Sequence, residues 1–300
     1  MSLDVVILFL EQGIVSGLVI GSIYALLALA LVIIFKTSEV PNFAQGEFYM
    51  AGAYVALFLV VFENIPTVLA LPVTLVVCFL GAALFQKFVL TRVWKAKGSP
   101  INLVIATLGL SYLLKGLVRN TGFGDSPRTF PSLVSTDSIT IGQASLTYLD
   151  ATIFCTAVAV MIALFLLFNF TQLGRALRAL GMNPKAAQLV GINLSRMNMV
   201  VWGLSGAISA AAAILVAPKL LVSADMGHVV IMAFAAAIVG GFASLPGAVV
   251  GGFVIGIAEN LVGLFVSSQA IAVAPFLAIL IVLLIRPQGL LGGRVALKKV

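Results

Sequence analysis

Charge is what this chain has least of. Only 9% of its 300 residues are Asp, Glu, Lys or Arg, against roughly a quarter in a soluble domain. That is far from the composition of a soluble domain. Histidine occurs once, as His228, and cysteine twice, as Cys78 and Cys155, both inside apolar runs. That inventory leaves no ligand set for zinc or an iron–sulfur cluster and favours packed thiols over a disulfide. No Gly-x-x-x-x-Gly-Lys-Ser/Thr stretch is present, so the chain does not hydrolyse ATP through a P-loop. A Ser–His–Asp set, an HExxH helix and paired carboxylates within one apolar run are all missing. No catalytic residue and no metal site is expected.

Apolar sequence is abundant instead. The chain is 62% hydrophobic with a mean hydropathy of +1.20. Gln12–Phe35, Asn64–Gln86, Ala151–Gly174, Met197–Pro218, Val229–Ala258 and Asn260–Ile285 contain no Asp, Glu, Lys or Arg. A helix needs about 20 apolar residues to cross the hydrocarbon core. The fold class is therefore all-α: a polytopic transmembrane helical bundle forming one domain over 1–300. About nine spans are expected, within a range of eight to ten, near 5–35, 43–62, 67–90, 101–118, 148–170, 199–217, 222–240, 246–266 and 270–285. The first run is long enough to hold a break, and Gly240-Gly241…Pro246-Gly247 suits a re-entrant half-helix. Met1-Ser2-Leu3-Asp4 lacks a basic n-region, which argues against a cleavable signal peptide.

The net charge of +7 reads as a topology signal rather than a nucleic-acid surface, because the basic residues gather in short loops and the tail. The 91–99 loop holds Arg92, Lys95 and Lys97. The 171–198 loop holds Arg175, Arg178, Lys185 and Arg196 with no acid, and the tail holds Arg294, Lys298 and Lys299. All three are expected in the cytoplasm, with the N-terminus outside and the C-terminus inside. Arg119–Thr147 then lies outside, where the alternation in Ser138–Thr147 predicts a small periplasmic β-hairpin.

Within 171–198, Pro184 suits a first helical position and Gly191 a helix stop. Lys185, Ala186 and Ala187 between them make a short, small-faced helix on the cytoplasmic surface, a candidate docking element for a soluble ATPase. Glycines spaced by four residues (Gly13, Gly17 and Gly21; Gly247 and Gly251; Gly252 and Gly256) permit close helix packing in lipid.

A few polar groups fall at membrane depth. Glu259 and Asn260 lie within an apolar run, where an ionisable group should face protein or water. Asn42, Gln45 and Glu47 cluster where a polar turn enters the second span, a setting in which broken helices bind solutes. A plain turn is the competing reading of that cluster. Glu11 and Lys115 sit near span ends, where snorkelling accounts for them, and His228 reads as an interfacial residue without a catalytic role.

Several stretches resemble a known family: Gly17-Leu-Val-Ile-Gly-Ser-Ile-Tyr-Ala-Leu, Asn42-Phe-Ala-Gln-Gly-Glu-Phe-Tyr-Met-Ala-Gly-Ala-Tyr54, Ala106-Thr-Leu-Gly-Leu, Gly174-Arg-Ala-Leu-Arg-Ala, the glycine-rich run from Ala236 to Gly252, and Arg286-Pro-Gln-Gly-Leu-Leu-Gly. Together they are similar to permease subunits of the branched-chain amino acid ABC importers. Lys185-Ala186-Ala187…Gly191 resembles the Glu-Ala-Ala…Gly coupling motif with Lys in place of Glu, and the Ile-x-Leu-Pro that can end that motif is missing.

The resemblance implies a multi-pass protein of the bacterial inner membrane forming half of a translocation path. It implies a second homologous permease, two cytoplasmic ATPase subunits that bind the ATP, and a periplasmic solute-binding protein. Coupling would fall to Arg175, Arg178, Lys185, Ala186, Ala187 and Gly191, and the pathway to Asn42, Gln45, Glu47, Glu259 and Asn260. No cofactor belongs to the chain itself, and its surroundings are membrane lipid. Gln45 and Met232 stand where many relatives carry His and Lys. Related permeases serve urea, amides and aromatic acids, so these solutes stand as alternatives. A secondary transporter or a small-solute channel is the rival outside the family.

Overall fold

The computed structural model describes residues 3–96, 99–122, 124, 126–132, 134–142 and 144–292. Lys97, Arg294, Lys298 and Lys299 fall outside them. Among these residues, twelve α-helices and one strand pair follow in order: α1 Leu3–Ser38, α2 Gln45–Leu57, α3 Thr67–Phe85, α4 Thr91–Lys95, α5 Pro100–Arg119, β1 Ser138–Ile141, β2 Ala144–Thr147, α6 Tyr148–Phe170, α7 Gln172–Met182, α8 Pro184–Leu189, α9 Leu194–Val216, α10 Val230–Gly240, α11 Leu245–Phe265 and α12 Ala274–Ile285. A π-helical turn, Phe58–Phe62, extends α2, and another, Gln86–Leu90, joins α3 to α4. β1 and β2 pair antiparallel, Ser138 opposite Thr147.

Among the described residues, 7 helical segments are long and apolar enough to cross a membrane, and two shorter apolar ones cover Met226–Gly240 and Ala270–Ile285. The protein is thus a polytopic all-α membrane protein. Two expectations change. The first apolar run holds no break, since α1 is one helix of 36 residues. The span expected at 222–240 is not a full one. Val222 pairs in a β-bridge with Arg128, a 3-10 turn covers Met226–Val229, and α10 has only 11 residues. At the α-helical rise, α10 extends about 16 Å, roughly half the hydrocarbon core.

The chain divides into two compact units. One contains the described chain to Val32, Ser132–Val158 and Val229 onward; the other contains Ile33–Pro131 and Ala159–His228. In the first, the spaced glycines pair off by helix. A Cβ on Gly17 would lie 2.6 Å from the Ile257 Cα, and one on Gly21 would lie 2.9 Å from the Gly252 carbonyl. Added carbons on Gly252 and Gly256 would strike Ala25 and Gly21 in return. Gly247 and Gly251 serve the other face of α11, against Gly240 and Ala236 of α10. One helix thus carries two glycine faces, each allowing backbone contact with a different neighbour.

The Arg-Pro-Gln-Gly-Leu-Leu-Gly stretch closes this unit. Leu290 and Leu291 donate backbone N–H groups to the Val239 and Gly240 carbonyls at 2.8 and 3.0 Å. These are the carbonyls that a helix end otherwise leaves without partners.

In the second unit α9 is the central rod, packed on α2 and α3. A Cβ on Gly52 of α2 would reach within 2.5 Å of the Ala210 Cα, and Gly206 lies against Cys78 and Ala82 of α3. Phe85 and Trp202 place their rings 5.9 Å apart beside these contacts. Large apolar side chains stay exposed on the other faces of α3, α5 and α12, such as Val76, Ile105 and Leu280. Exposed apolar faces of this kind suit helices that cross a membrane.

Candidate translocation and coupling site

Three hydrogen-bonded caps shape the 171–198 loop. Thr171 accepts from the Gly174 N–H at 3.1 Å, Asn183 from Ala186 at 3.1 Å and Asn193 from Arg196 at 3.0 Å. Each side chain starts a new helix by satisfying an N–H that the first turn leaves free. Pro184 occupies the first turn of α8, where its missing N–H costs nothing. Gly191 ends the element at φ +86°, a backbone region open to glycine.

α7 is amphipathic. Gly174, Leu177 and Leu180 are buried and Arg175 is exposed. Arg178 folds back, donating to the Phe168 carbonyl at 2.5 Å and to Asn169 Oδ1 at 3.2 Å. It thereby ties α7 to the end of α6. Ala187 is buried by its own chain, whereas Lys185, Ala186 and Gly191 are exposed. The outward tip is apolar: Met182, Leu189 and Val190 are 84%, 90% and 77% exposed. Charge drew the sequence reading to the basic residues and past these three.

Asn42 and Gln45 are fully buried and meet two serines of α9. The Gln45 Oε1 accepts from Asn42 Nδ2 and from the Ser205 hydroxyl, each at 2.9 Å. Gln45 Nε2 donates to the Ser209 hydroxyl and to the Ser205 carbonyl. Ser205 and Ser209 carry no sequence signal beyond a small-residue run. In this conformation the knot is satisfied internally, and Glu47 beside it is half-buried.

The turn that precedes α2 lies part-way along α5. Its Phe43 N–H donates to the Thr107 hydroxyl at 3.4 Å, and Thr107 is roughly 10 Å along α5 from Pro100 at the α-helical rise. A Cβ on Gly227 would sit 3.0 Å from the Gly46 carbonyl. The 3-10 turn and the first turn of α2 therefore meet alongside α5 rather than beyond its end.

In the other unit, Glu259 takes a hydrogen bond from the Tyr24 hydroxyl of α1, and its buried Oε2 finds no hydrogen-bond partner among the described residues. Asn260 turns to its own helix, donating to the Gly256 carbonyl at 2.9 Å. The five candidate pathway residues thus divide between the units, Asn42, Gln45 and Glu47 in one and Glu259 and Asn260 in the other.

Lys115 does more than snorkel. Its Nζ lies 2.7 Å from Asp225 Oδ1, with Arg119 Nη2 at 3.1 Å and His228 Nε2 at 3.9 Å from the same oxygen. The Lys115 hydrogen bond, with the charges of Lys115, Arg119 and His228, holds the Asp225 carboxyl below the usual carboxylate range. Asp225 escaped the sequence reading because it sits in a polar turn with nothing to mark its partners.

The family described as branched-chain amino acid transport system, permease component, matches residues 13–285, and the chain belongs to it. It is 29% identical over 298 residues to the Escherichia coli K12 high-affinity branched-chain amino acid transport system permease protein LivH, covering 95% of this chain and 96% of that one. A probable branched-chain amino acid transport permease protein LivH of Methanocaldococcus jannaschii is 34% identical over 86% of this chain and 83% of its own. The Pseudomonas aeruginosa permease protein BraD is 29% identical over 94% and 95%. No solved structure matches the chain.

Proposed function

We propose that this chain is the permease subunit of an ATP-driven importer for branched-chain amino acids, forming half of the path in the bacterial inner membrane. Two cytoplasmic ATPases drive it, a second homologous permease completes the path, and a periplasmic protein delivers the solute. The family match supports the transport role, and the relatives' printed activities support the solute. The observation that carries the coupling reading is the α7–α8 corner. Two capped helices project an apolar tip of Met182, Leu189 and Val190 into the surroundings, and an exposed apolar patch of this kind marks a protein contact.

α9 provides the transmission. It begins directly after the tip, passes the Gln45 knot, and reaches the 217–228 turn at its far end. At 23 residues it spans about 35 Å. ATPase closure pushing on α8 would therefore move both the knot and the far turn through one rigid element. A ligand shifts such an equilibrium only through its differential affinity for the two states, and ATP on the partner subunits supplies that difference. The basic 171–198 loop and the C-terminus belong to the cytoplasm in this reading, and the hairpin to the periplasm.

Leu189→Asp and Val190→Asp test the reading. Either places a charge in the contact, so ATPase subunits should fail to co-purify with an otherwise stable membrane protein. Unchanged co-elution of both ATPases with the double variant would refute α8 as the docking element.

A further inference from the structure

The Asp225 cluster stands at the end of α9 opposite the coupling tip. Lys115 and Arg119 come from the last turns of α5, Asp225 from the turn after α9, and Arg128 from the β-bridge with Val222. Arg128 caps the Phe62 ring at 5.4 Å and donates to the Gly122 carbonyl at 3.1 Å. Lys115 and Arg119 thus hold one carboxylate between them, with His228 Nε2 3.9 Å from the same oxygen.

A second observation is a buried hydroxyl that finds no hydrogen-bond partner among the described residues. Tyr54 of α2 is 8% exposed, and its buried Oη makes no hydrogen bond among the described residues. It lies within the electrostatic reach of both Arg128 and Asp225. A buried hydroxyl left this way is costly unless some state of the protein supplies its partner.

The geometry points to a carboxylate-receiving site for the transported amino acid, built from Lys115 and Arg119 and occupied in this conformation by the protein's own Asp225. Asp225 binds as a solute carboxylate would. One oxygen takes both cations, and Arg119 Nη2 also reaches Oδ2 at 3.4 Å. Because Asp225 is 58% exposed, its ion pairs hold it weakly, and exchange of one carboxylate for another is nearly neutral. The incoming carboxylate takes the cations, and the Tyr54 hydroxyl gains a polar neighbour. Exchange would also free the 217–228 turn from α5. This inference rests on the amino-acid importer reading and adds the place where the solute is first held.

The test is direct binding of labelled leucine to the permease purified with its partner subunits in lipid nanodiscs. Asp225→Asn removes the internal competitor and should tighten leucine binding about fivefold, the fold-change of releasing one surface ion pair. Adding Arg119→Gln should abolish that gain, and leucinamide, which lacks the carboxylate, should not compete. Thermal melting of each variant reports its integrity. Leucine binding unchanged in an intact Asp225→Asn variant would overturn the site. So would Arg119→Gln weakening only the docking of the solute-binding protein, because the patch would then serve a protein partner. If Asp225→Asn binds leucine more tightly but ATP drives no leucine uptake by the native complex, the importer reading fails while the carboxylate site stands.

Discussion

Replacing Gln45 by Leu tests whether the buried knot holds α2 to α9. The substitution keeps the approximate volume and removes both halves of the amide. Gln45 is fully buried and bonded to Asn42, Ser205 and Ser209, so the change removes bonds both to the turn before α2 and across to α9. The two serine hydroxyls can turn to carbonyls of their own helix, which limits their loss. The Asn42 amide has no such alternative, because its Oδ1 is already committed to the Ala44 N–H. Stranding that amide costs about 1–3 kcal/mol, and each lost interhelical bond in a membrane about 0.6 kcal/mol. The sum is about 2–4 kcal/mol. Reversible unfolding in mixed SDS micelles measures it. A double-mutant cycle with Asn42→Ala should show coupling of at least about 1 kcal/mol, as expected for residues in one network. Additive losses, or wild-type stability in Gln45→Leu, would refute the knot as a holding element.

Gly17→Val should drive a methyl group into the Ile257 backbone and separate α1 from α11, costing about 1–3 kcal/mol as overpacking; heat-induced loss of monodispersity reports it, and Gly81→Val, with open space around its Cβ, is the control. Gly191→Ala should strain a residue at φ +86° by about 1–2 kcal/mol and weaken ATPase coupling more than membrane insertion. The depressed Asp225 pKa means that the folded state binds fewer protons than the unfolded one. The stabilisation by Asp225 is therefore present above the ordinary value of 3.8 and disappears as pH falls through the lower folded value. The melting difference between wild type and Asp225→Asn should persist at neutral pH and vanish in strong acid. Single cysteines at Asn183 and Ser135, in a background lacking Cys78 and Cys155, should divide by side: an impermeant maleimide should label Ser135→Cys in spheroplasts and spare Asn183→Cys.

The helical membrane class was readable because apolar runs of span length have few other uses. The capped corner was readable too, since Pro184 and Gly191 act through local backbone preferences. What escaped depended on contacts distant in sequence. Four-residue glycine spacing announces close packing, yet it does not reveal that Gly252 and Gly256 serve α1 while Gly247 and Gly251 serve α10. Composition made 222–240 look like a span, because hydropathy does not register that Val222 is drawn into pairing with Arg128. Ser205, Ser209 and Asp225 become visible only once Gln45 and Lys115 have been placed beside them. The tail motif was legible as a pattern, but its role on the Val239 and Gly240 carbonyls was not.

The central claim is ATP-driven import coupled through the tip of α8. It is tested most directly by leucine uptake into proteoliposomes containing this chain, its partner permease, both ATPases and the solute-binding protein. Uptake should require ATP and should be lost in Leu189→Asp while basal hydrolysis by the ATPases persists. Leucine uptake that proceeds without nucleotide, or that survives Leu189→Asp at full rate, would contradict the account.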